Sequence, residues 1–340
     1  MDKDQKITFA VLGYGHIGRR HAEMIARHPE ASLQAVIDEN EGLEELLREK
    51  FPQTPFFSSL EEYLGQSKAE VMMVCTPNGL HAVHAKTALA SGHHVVIEKP
   101  MALTKADCES IIFEALHYSK QVFCVMQNRF SPPSQWLKKL VDEDLLGKIY
   151  LVEINCYWNR DQRYYNGQTW KGNKDLDGGT LFTQFSHFVD VLYWVFGDIK
   201  NIQSKFRDCN HQSLTDFEDT GLIQFDLVRG GMGVLTYSTA VWNRNMESSL
   251  TAIGEKGSLK IGGQYMEKVV YCHLKDYEMP QLPKTNAAND YGSYKGSANN
   301  HHYVIENVID TLKNRSKIYT NALEGMKVVE MIERIYDRKV

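Results

Sequence analysis

The chain has 340 residues, 43% of them apolar and 24% charged, a balance that fits a folded globular protein and excludes a disordered or fibrous one. That length favours two domains over one. A formal net charge of −5 at pH 7 argues against nucleic acid as the main partner.

The first residues, MDKDQKITFAVLGYG, are charged and run into a strand, without the long apolar region and small-residue cleavage site of a signal peptide. No uncharged apolar run approaches the roughly 20 residues that span a bilayer. The expected location is the cytoplasm, with no membrane partner. Cys75, Cys108, Cys124, Cys156, Cys209 and Cys272 are scattered without a CxxC pair, which predicts buried free thiols and neither a zinc site nor a disulfide framework. The paired histidines lack carboxylate or cysteine partners at ligand spacing, so no metal is expected.

Ile7, Phe9, Val11 and Leu12 read as a strand, and Ile17, Ala22, Ile25 and Ala26 follow at helical spacing. Between them Gly13, Gly15 and Gly18 form GxGxxG, with His16 and Ile17 inside the motif. The glycines would give a tight turn, room for backbone to approach a pyrophosphate, and close packing of helix on strand. The helix start adds free N–H groups and a positive dipole end. A second strand, LQAVID, ends in Asp38, twenty residues past Gly18. An acid there suits a ribose with a free 2′-hydroxyl and repels a 2′-phosphate. Glu39, Asn40 and Glu41 bring no arginine to reverse that preference, so the expected cofactor is NAD.

The helix EGLEELLREKF, the strand VMMVCTPN, the helix HAVHAKTALASG and the strand HHVVIEKP continue the alternation. This rhythm predicts a doubly wound parallel sheet, a Rossmann arrangement with its ligand at the carboxyl ends of the strands. Thr76, Pro77 and Asn78 stand at one such end, with His81 close behind, and Glu98, Lys99 and Pro100 at the next. Lys99 stands one residue past the apolar Val95, Val96 and Ile97. It is either an ammonium delivered into the ligand crevice or an ordinary lysine at a strand end.

After the strand QVFCVMQNRF, Ser131-Pro132-Pro133 interrupts the pattern. The runs IYLVEINCYW, TGLIQFDLV, GMGVLTYSTA and LTAIGEKGSLKI predict successive strands in a mixed or antiparallel sheet. Between the first two of these lies GGTLFTQFSHFVD. A helix over 180–196 would place Thr183 and His187 one turn apart on one face, with Asp190 three further on and Phe182, Phe185, Val189, Leu192 and Phe196 packing. A histidine on so apolar a helix is either a core residue satisfied by a neighbour or a group presented to a substrate; Asp190 reads as structural.

The preceding loop, NRDQRYYNGQTWKGNK, offers Arg160, Arg163, Tyr164, Tyr165 and Lys171 to a phosphate or uronate group, or is a solvated loop with structural aromatics. A second long loop runs through KDYEMPQLPKTNAANDYGSYKGSANNHH, at whose end His301 or His302 could approach a substrate. The last helix, with Leu323, Met326, Val329, Ile332 and Ile335, reads as amphipathic core packing.

GYGHIG, CTPNGLH, GHHVVIEKP and GGTLFTQFSHFVD together resemble the glucose-fructose oxidoreductase, inositol dehydrogenase and MocA family, and the likeness extends over nearly the whole chain. It implies residues 1–126 as an NAD-binding Rossmann domain and 127–340 as an α+β domain with an open, mostly antiparallel sheet for substrate binding and oligomerisation. The implied activity is dehydrogenation of sugars and polyols by a homodimer or homotetramer associated through that sheet. The cofactor residues carried over are Gly13, Gly15, His16, Ile17, Gly18, Asp38, Thr76, Pro77, Asn78, His81, Glu98 and Lys99. Lys99 is similar to the lysine that hydrogen-bonds the reacting hydroxyl, and His187 to the histidine that handles its proton. Thr183 departs from the pattern, since the family commonly has Asp there. QNRFSPPSQWLKKL and the loop after it resemble the nucleotide-sugar branch, which oxidises the C3 hydroxyl of UDP-N-acetylglucosaminuronate.

Loss of a hydride from a carbinol carbon requires loss of the hydroxyl proton, for which histidine is the common base, while a nearby ammonium steadies the developing alkoxide. His187 as base and Lys99 as polariser is one assignment. The exchanged roles are the other, because a desolvated lysine beside a cationic ring can be deprotonated. A free-sugar or inositol dehydrogenase, and a silent NAD-binding sensor, are the competing functions.

Overall fold

The structure is a computed structural model and describes residues 5–66, 68–166, 170–292 and 294–338. The chain forms two compact units. The first takes the chain up to Val125 and again from His301 to Val329; the second takes Met126–Asn300 and the chain from Glu330 on. The division expected after residue 126 lies beside the first crossing, but the stretch 127–340 does not stay in one unit. The helix His301–Leu312 buries Val304, Ile305, Val308 and Ile309 and packs on the helix His16–Arg27, which returns it to the first unit.

In that first unit six strands form one parallel sheet: β1 (Ile7–Leu12), β2 (Ala31–Ile37), β3 (Phe56–Phe57), β4 (Val71–Val74), β5 (His94–Ile97) and β6 (Val122–Cys124), in the order β3-β2-β1-β4-β5-β6. Every residue of β4 and β6 is buried, as expected of strands covered on both faces by crossover helices. Register decides what this does for a ligand. Leu12 pairs with Ile37 and Val74, Val74 with Ile97, and Ile97 with Cys124. The strands therefore end together, and the residues just past them, Gly13, Asp38, Cys75 and Glu98, line one edge. Strand order reverses between β1 and β4, the place where doubly wound sheets open a crevice.

The second unit is built on a seven-stranded sheet of β7 (Ile149–Tyr157), β8 (Ile199–Arg207), β9 (Thr220–Leu227), β10 (Met232–Ser238), β11 (Glu247–Gly254), β12 (Gly257–Gly262) and β13 (Lys268–Leu274). Their order is β13-β12-β11-β7-β10-β9-β8, antiparallel except where β10 runs with β7. One face carries Val152, Ile154, Ile223, Phe225, Leu235 and Leu250 into the core. Trp158 and Tyr237 meet the ring of Phe185, and Trp158 meets Phe188, seating the helix Ser186–Phe196. The other face leaves Leu222, Met232 and Ile253 exposed.

The 180–196 segment differs from a uniform helix: a π-helical turn, Leu181–Phe185, precedes the α-helix Ser186–Phe196. The wider turn changes the angular offset of Thr183 from His187, so the two do not stack as α-helical neighbours do. Of the cysteines, Cys75, Cys108, Cys124 and Cys156 are buried, whereas Cys209 is exposed and Cys272 half-buried. The second long loop is not wholly irregular, since Ala288–Asp290 pairs with Lys295–Ala298. Among the described residues no helix is long and apolar enough to cross a membrane.

Candidate active site

In the first unit the glycine turn has the shape its sequence demands. Gly13 adopts φ +93°, and a Cβ there would lie 2.7 Å from the carbonyl oxygen of Cys75. At Gly18 a Cβ would lie 1.8 Å from the carbonyl oxygen of Gly13, so the helix can approach the strand only without a side chain. Gly15, by contrast, would meet nothing within 4 Å: its backbone faces open space at the start of the helix, with no side chain capping it. His16 is exposed and Ile17 half-buried beside it.

Asp38 holds this turn from the neighbouring strand end. Its Oδ2 accepts the backbone N–H of Tyr14 at 2.6 Å and its Oδ1 that of Asn40 at 2.9 Å. Each oxygen keeps a further lone pair for a ribose hydroxyl. The open cradle at Gly15 and the acid at Asp38 fit a dinucleotide with a free 2′-hydroxyl.

The loops after β4 and β5 are tied to each other by His81. Its Nε2 lies 2.9 Å from the carbonyl oxygen of Thr76 and its Nδ1 2.7 Å from that of Pro100. Expected among the cofactor contacts, His81 instead turns both ring nitrogens to backbone carbonyl oxygens, and as a neutral ring it donates its single N–H to one of them, wedged between the loops that carry Thr76, Pro77, Asn78 and Lys99. Burial holds its imidazole below the ordinary range.

Glu98 is also turned inward. Its Oε1 lies 2.7 Å from His21 Nε2, and its Oε2 accepts the backbone N–H of Lys99 at 3.1 Å. Burial pushes its carboxyl up, but the hydrogen bond and charge of His21, with His301 and Lys99 beyond, carry it down to about 2. His301, expected near a substrate, is buried in the same cluster, its Nε2 3.9 Å from Glu98 Oε1. Lys99 itself is half-buried, and the Lys99-Pro100 bond is cis.

In the second unit His187 is 3% exposed, and its Nε2 lies 3.0 Å from the side-chain amide nitrogen of Gln127. An amide nitrogen only donates, so Nε2 is the acceptor and the ring proton belongs on Nδ1. Two residues after Gln127, Arg129 grips Asp190 through Nε and Nη2, with both side chains wholly buried. The segment Gln127–Phe130 thus clamps the histidine helix at two points, one turn apart. Thr183 donates its hydroxyl to the carboxylate of Asp177, which also accepts the Gly172 N–H at 2.7 Å.

The cationic loop differs from its expected role. Arg160 is 1% exposed and donates to Gln184 Oε1 at 2.6 Å, to the carbonyl oxygens of Asn159 and Lys295, and to Asn245. It sits among the rings of Trp158, Tyr164 and Tyr294, and its donors are taken up by neutral oxygens inside the unit. Arg163 forks onto Asp161. Tyr164 and Tyr165 are buried, and Lys171 lies over the Tyr164 ring at 3.9 Å. Residues 167–169 of this loop lie outside the described residues.

Comparison with known proteins decides the family. Residues 7–126 match the oxidoreductase family with an NAD-binding Rossmann fold, and residues 134–260 match the GFO/IDH/MocA C-terminal domain. The chain belongs to this family. It is an NAD-dependent oxidoreductase.

Among family members of solved structure it is similar to the WlbA dehydrogenase of Bordetella pertussis, determined in complex with NADH and UDP-GlcNAcA. The two are 29% identical, covering 98% of this chain and 96% of that one, with a TM-score of 0.88. The WlbA dehydrogenase of Chromobacterium violaceum, in complex with the same two molecules, is 28% identical over 99% of this chain and 94% of that one, again with a TM-score of 0.88. An uncharacterized oxidoreductase of Synechocystis is 25% identical over 82% of this chain and 75% of its own length.

Three residues of this arrangement give little or no sign in the sequence. His21 stands on the buried stripe of its helix beside Ile25, and a lone polar residue on such a stripe needs a partner. Gln127 follows a wholly buried parallel strand, the same signal that singled out Lys99. Asp177, just before the two glycines, gave no signal of its own.

Proposed function

We propose that this enzyme oxidises the C3 hydroxyl of a nucleotide-activated sugar acid of the UDP-N-acetylglucosaminuronate kind. It is an NAD-dependent sugar dehydrogenase; the nucleotide and the carbon are the step beyond. The observation that carries this step is the full-length likeness to two dehydrogenases whose structures contain both NADH and UDP-GlcNAcA.

On this reading the Gln127 amide keeps Nε2 of His187 unprotonated until the substrate hydroxyl displaces it from that nitrogen, and His187 then takes the hydroxyl proton at Nε2. Lys99 polarises the hydroxyl oxygen and steadies the alkoxide. The neutral amide donor on His187 favours this assignment over the exchanged one. Bound NAD supplies the acceptor for the hydride. Gly13, Gly15, His16, Ile17, Gly18, Asp38, Thr76, Pro77 and Asn78 hold it. Because the Thr183 proton is committed to Asp177, Thr183 can only accept from a sugar hydroxyl, a neutral partner where much of the family has a carboxylate. Lys171, over Tyr164, is the cation of the loop assigned to a substrate anion.

The same reading makes the enzyme a cytoplasmic homodimer or homotetramer joined over the exposed sheet face of Leu222, Met232 and Ile253. Sedimentation velocity on the purified enzyme would report a monomer if this is wrong.

Single-turnover reduction of enzyme-bound NAD tests the substrate, with UDP-N-acetylglucosaminuronate, UDP-N-acetylglucosamine, glucose and myo-inositol as the panel. NADH formation with the UDP-uronate alone supports the proposal. NADH formation with glucose or inositol alone overturns it, and silence across the panel with NAD bound returns the protein to the sensor class.

A further inference from the structure

Beyond the residues assigned to cofactor and substrate, the first unit buries a group of titratable side chains around one carboxylate. Glu98 is 5% exposed, His21 0% and His301 2%. Three separate stretches supply them: the helix after the glycine turn, the end of β5, and the helix His301–Leu312, which the chain reaches only after building the second unit. The rings of His21 and His301 meet edge to face with centroids 5.5 Å apart. Glu98 Oε1 faces both imidazoles, at 2.7 Å and 3.9 Å, while Oε2 accepts the Lys99 amide. Arg20, Lys99, His81 and Cys75 complete the charged and titratable surroundings of the cluster, and Glu98 is the carboxylate common to them.

A carboxylate buried this deeply is costly unless its oxygens are occupied by donors. Here one oxygen is anchored by imidazole and the other acts on a single backbone group. That group is the amide of Lys99, from whose Cα the long lysine side chain departs. On the far side of the lysine, the Pro100 carbonyl oxygen is held by His81. The three-residue turn is thus fixed at both ends.

We propose that the His21–Glu98–His301 cluster is a positioning device for Lys99: His21, with the His301 ring packed edge-on against it, fixes the Glu98 carboxylate, which fixes the backbone from which the lysine is aimed. None of the three touches the substrate. The inference rests on the assignment of Lys99 to the reacting hydroxyl. A side chain on a four-carbon stem is easily misdirected, and small displacements of a reacting group reduce rate steeply.

A double-mutant cycle tests it, with kcat from single-turnover NADH formation and NAD affinity and thermal unfolding as controls. His21→Asn, His301→Asn and the near-isosteric Glu98→Gln are each made with Lys99 present and in a Lys99→Ala background. Lys99→Ala alone should lower kcat about a hundredfold or more. Each cluster variant should lower kcat roughly tenfold with Lys99 present, leave NAD affinity within about twofold, and add no more than about twofold in the Lys99→Ala background. An equal loss in both backgrounds overturns the inference, because the cluster would then act independently of the lysine. So does full kcat in all three variants. Full kcat in Lys99→Ala alone would instead remove the assigned role of Lys99, which is a separate failure. Should the histidine variants not fold, Glu98→Leu made in both backgrounds decides by itself, since it keeps roughly the side chain's size and, unlike Gln, removes the acceptor of the Lys99 amide.

Discussion

The side-chain amide nitrogen of Gln127 lies 3.0 Å from Nε2 of His187, and both groups are buried. A neutral donor on that nitrogen stabilises the unprotonated ring, the form a proton acceptor needs. Gln127→Ala removes the donor and should lower kcat about tenfold. Gln127→Glu replaces it with an anion that favours the imidazolium, so the acid limb of the kcat/KM profile should move to higher pH. A pH profile of Gln127→Glu that overlays the parent would dissociate Gln127 from the proton transfer.

Asp38 presents one oxygen to the Tyr14 amide and carries the charge that discriminates against a 2′-phosphate. Asp38→Asn keeps an acceptor for Tyr14 but removes the charge. The expected result is a loss of roughly ten- to a hundredfold in NAD efficiency, together with a gain for NADP. Steady-state kcat/KM with both cofactors measures it; an unchanged ratio would place the discrimination elsewhere.

The parts legible in the sequence were those fixed by local chemistry. Gly13 needs positive φ and Gly18 a bare Cα, so both announce themselves. The strand ends follow from apolar runs that stop at polar residues, which is why Thr76, Glu98 and Lys99 stood out. What stayed hidden was long-range pairing. Nothing near Arg160 foretells that Gln184 and the Lys295 carbonyl oxygen take its donors, so it looked available to an anion. Glu98 and His301 lie far apart in sequence, and their partnership depends on the chain re-entering the first unit. The π-helical turn at Leu181–Phe185 likewise leaves no mark in a pattern of apolar residues that an α-helix would satisfy as well.

Arg129 and Asp190 form a forked ion pair with both side chains wholly buried. Removing one partner breaks the forked pair inside the core, so Asp190→Asn should destabilise the enzyme by about 3–5 kcal/mol. Arg129→Met combined with Asp190→Leu should recover most of that loss. Denaturant unfolding reads both effects. Similar costs for the single and double variants would mean that packing, and not the unpaired charge, dominates at this position.

Stability against acid should reflect His301 and Glu98 in different windows. Burial holds the His301 imidazole down to about 3, against an ordinary value of 6.5, with Glu98 pulling the other way. The unfolded chain therefore binds a proton that the folded chain refuses between those values, and stability falls as pH drops through 6.5 toward 3. For Glu98, burial pushes up but His21 and the nearby charges prevail, holding the carboxyl at about 2 against 4.5. Its contribution is present above 4.5 and is lost as pH falls from there toward 2. His301→Asn should accordingly flatten the dependence of unfolding free energy on pH between 6.5 and 4.5 by up to about 1.4 kcal/mol per pH unit, while the part of the loss below 4.5 that belongs to Glu98 persists. Other histidines, such as the half-buried His94 held down to about 4, act in the same window, so the quantity to measure is the slope of the variant minus that of the parent. A difference of zero would mean that the folded chain protonates His301 as readily as the unfolded one, against the burial seen around it.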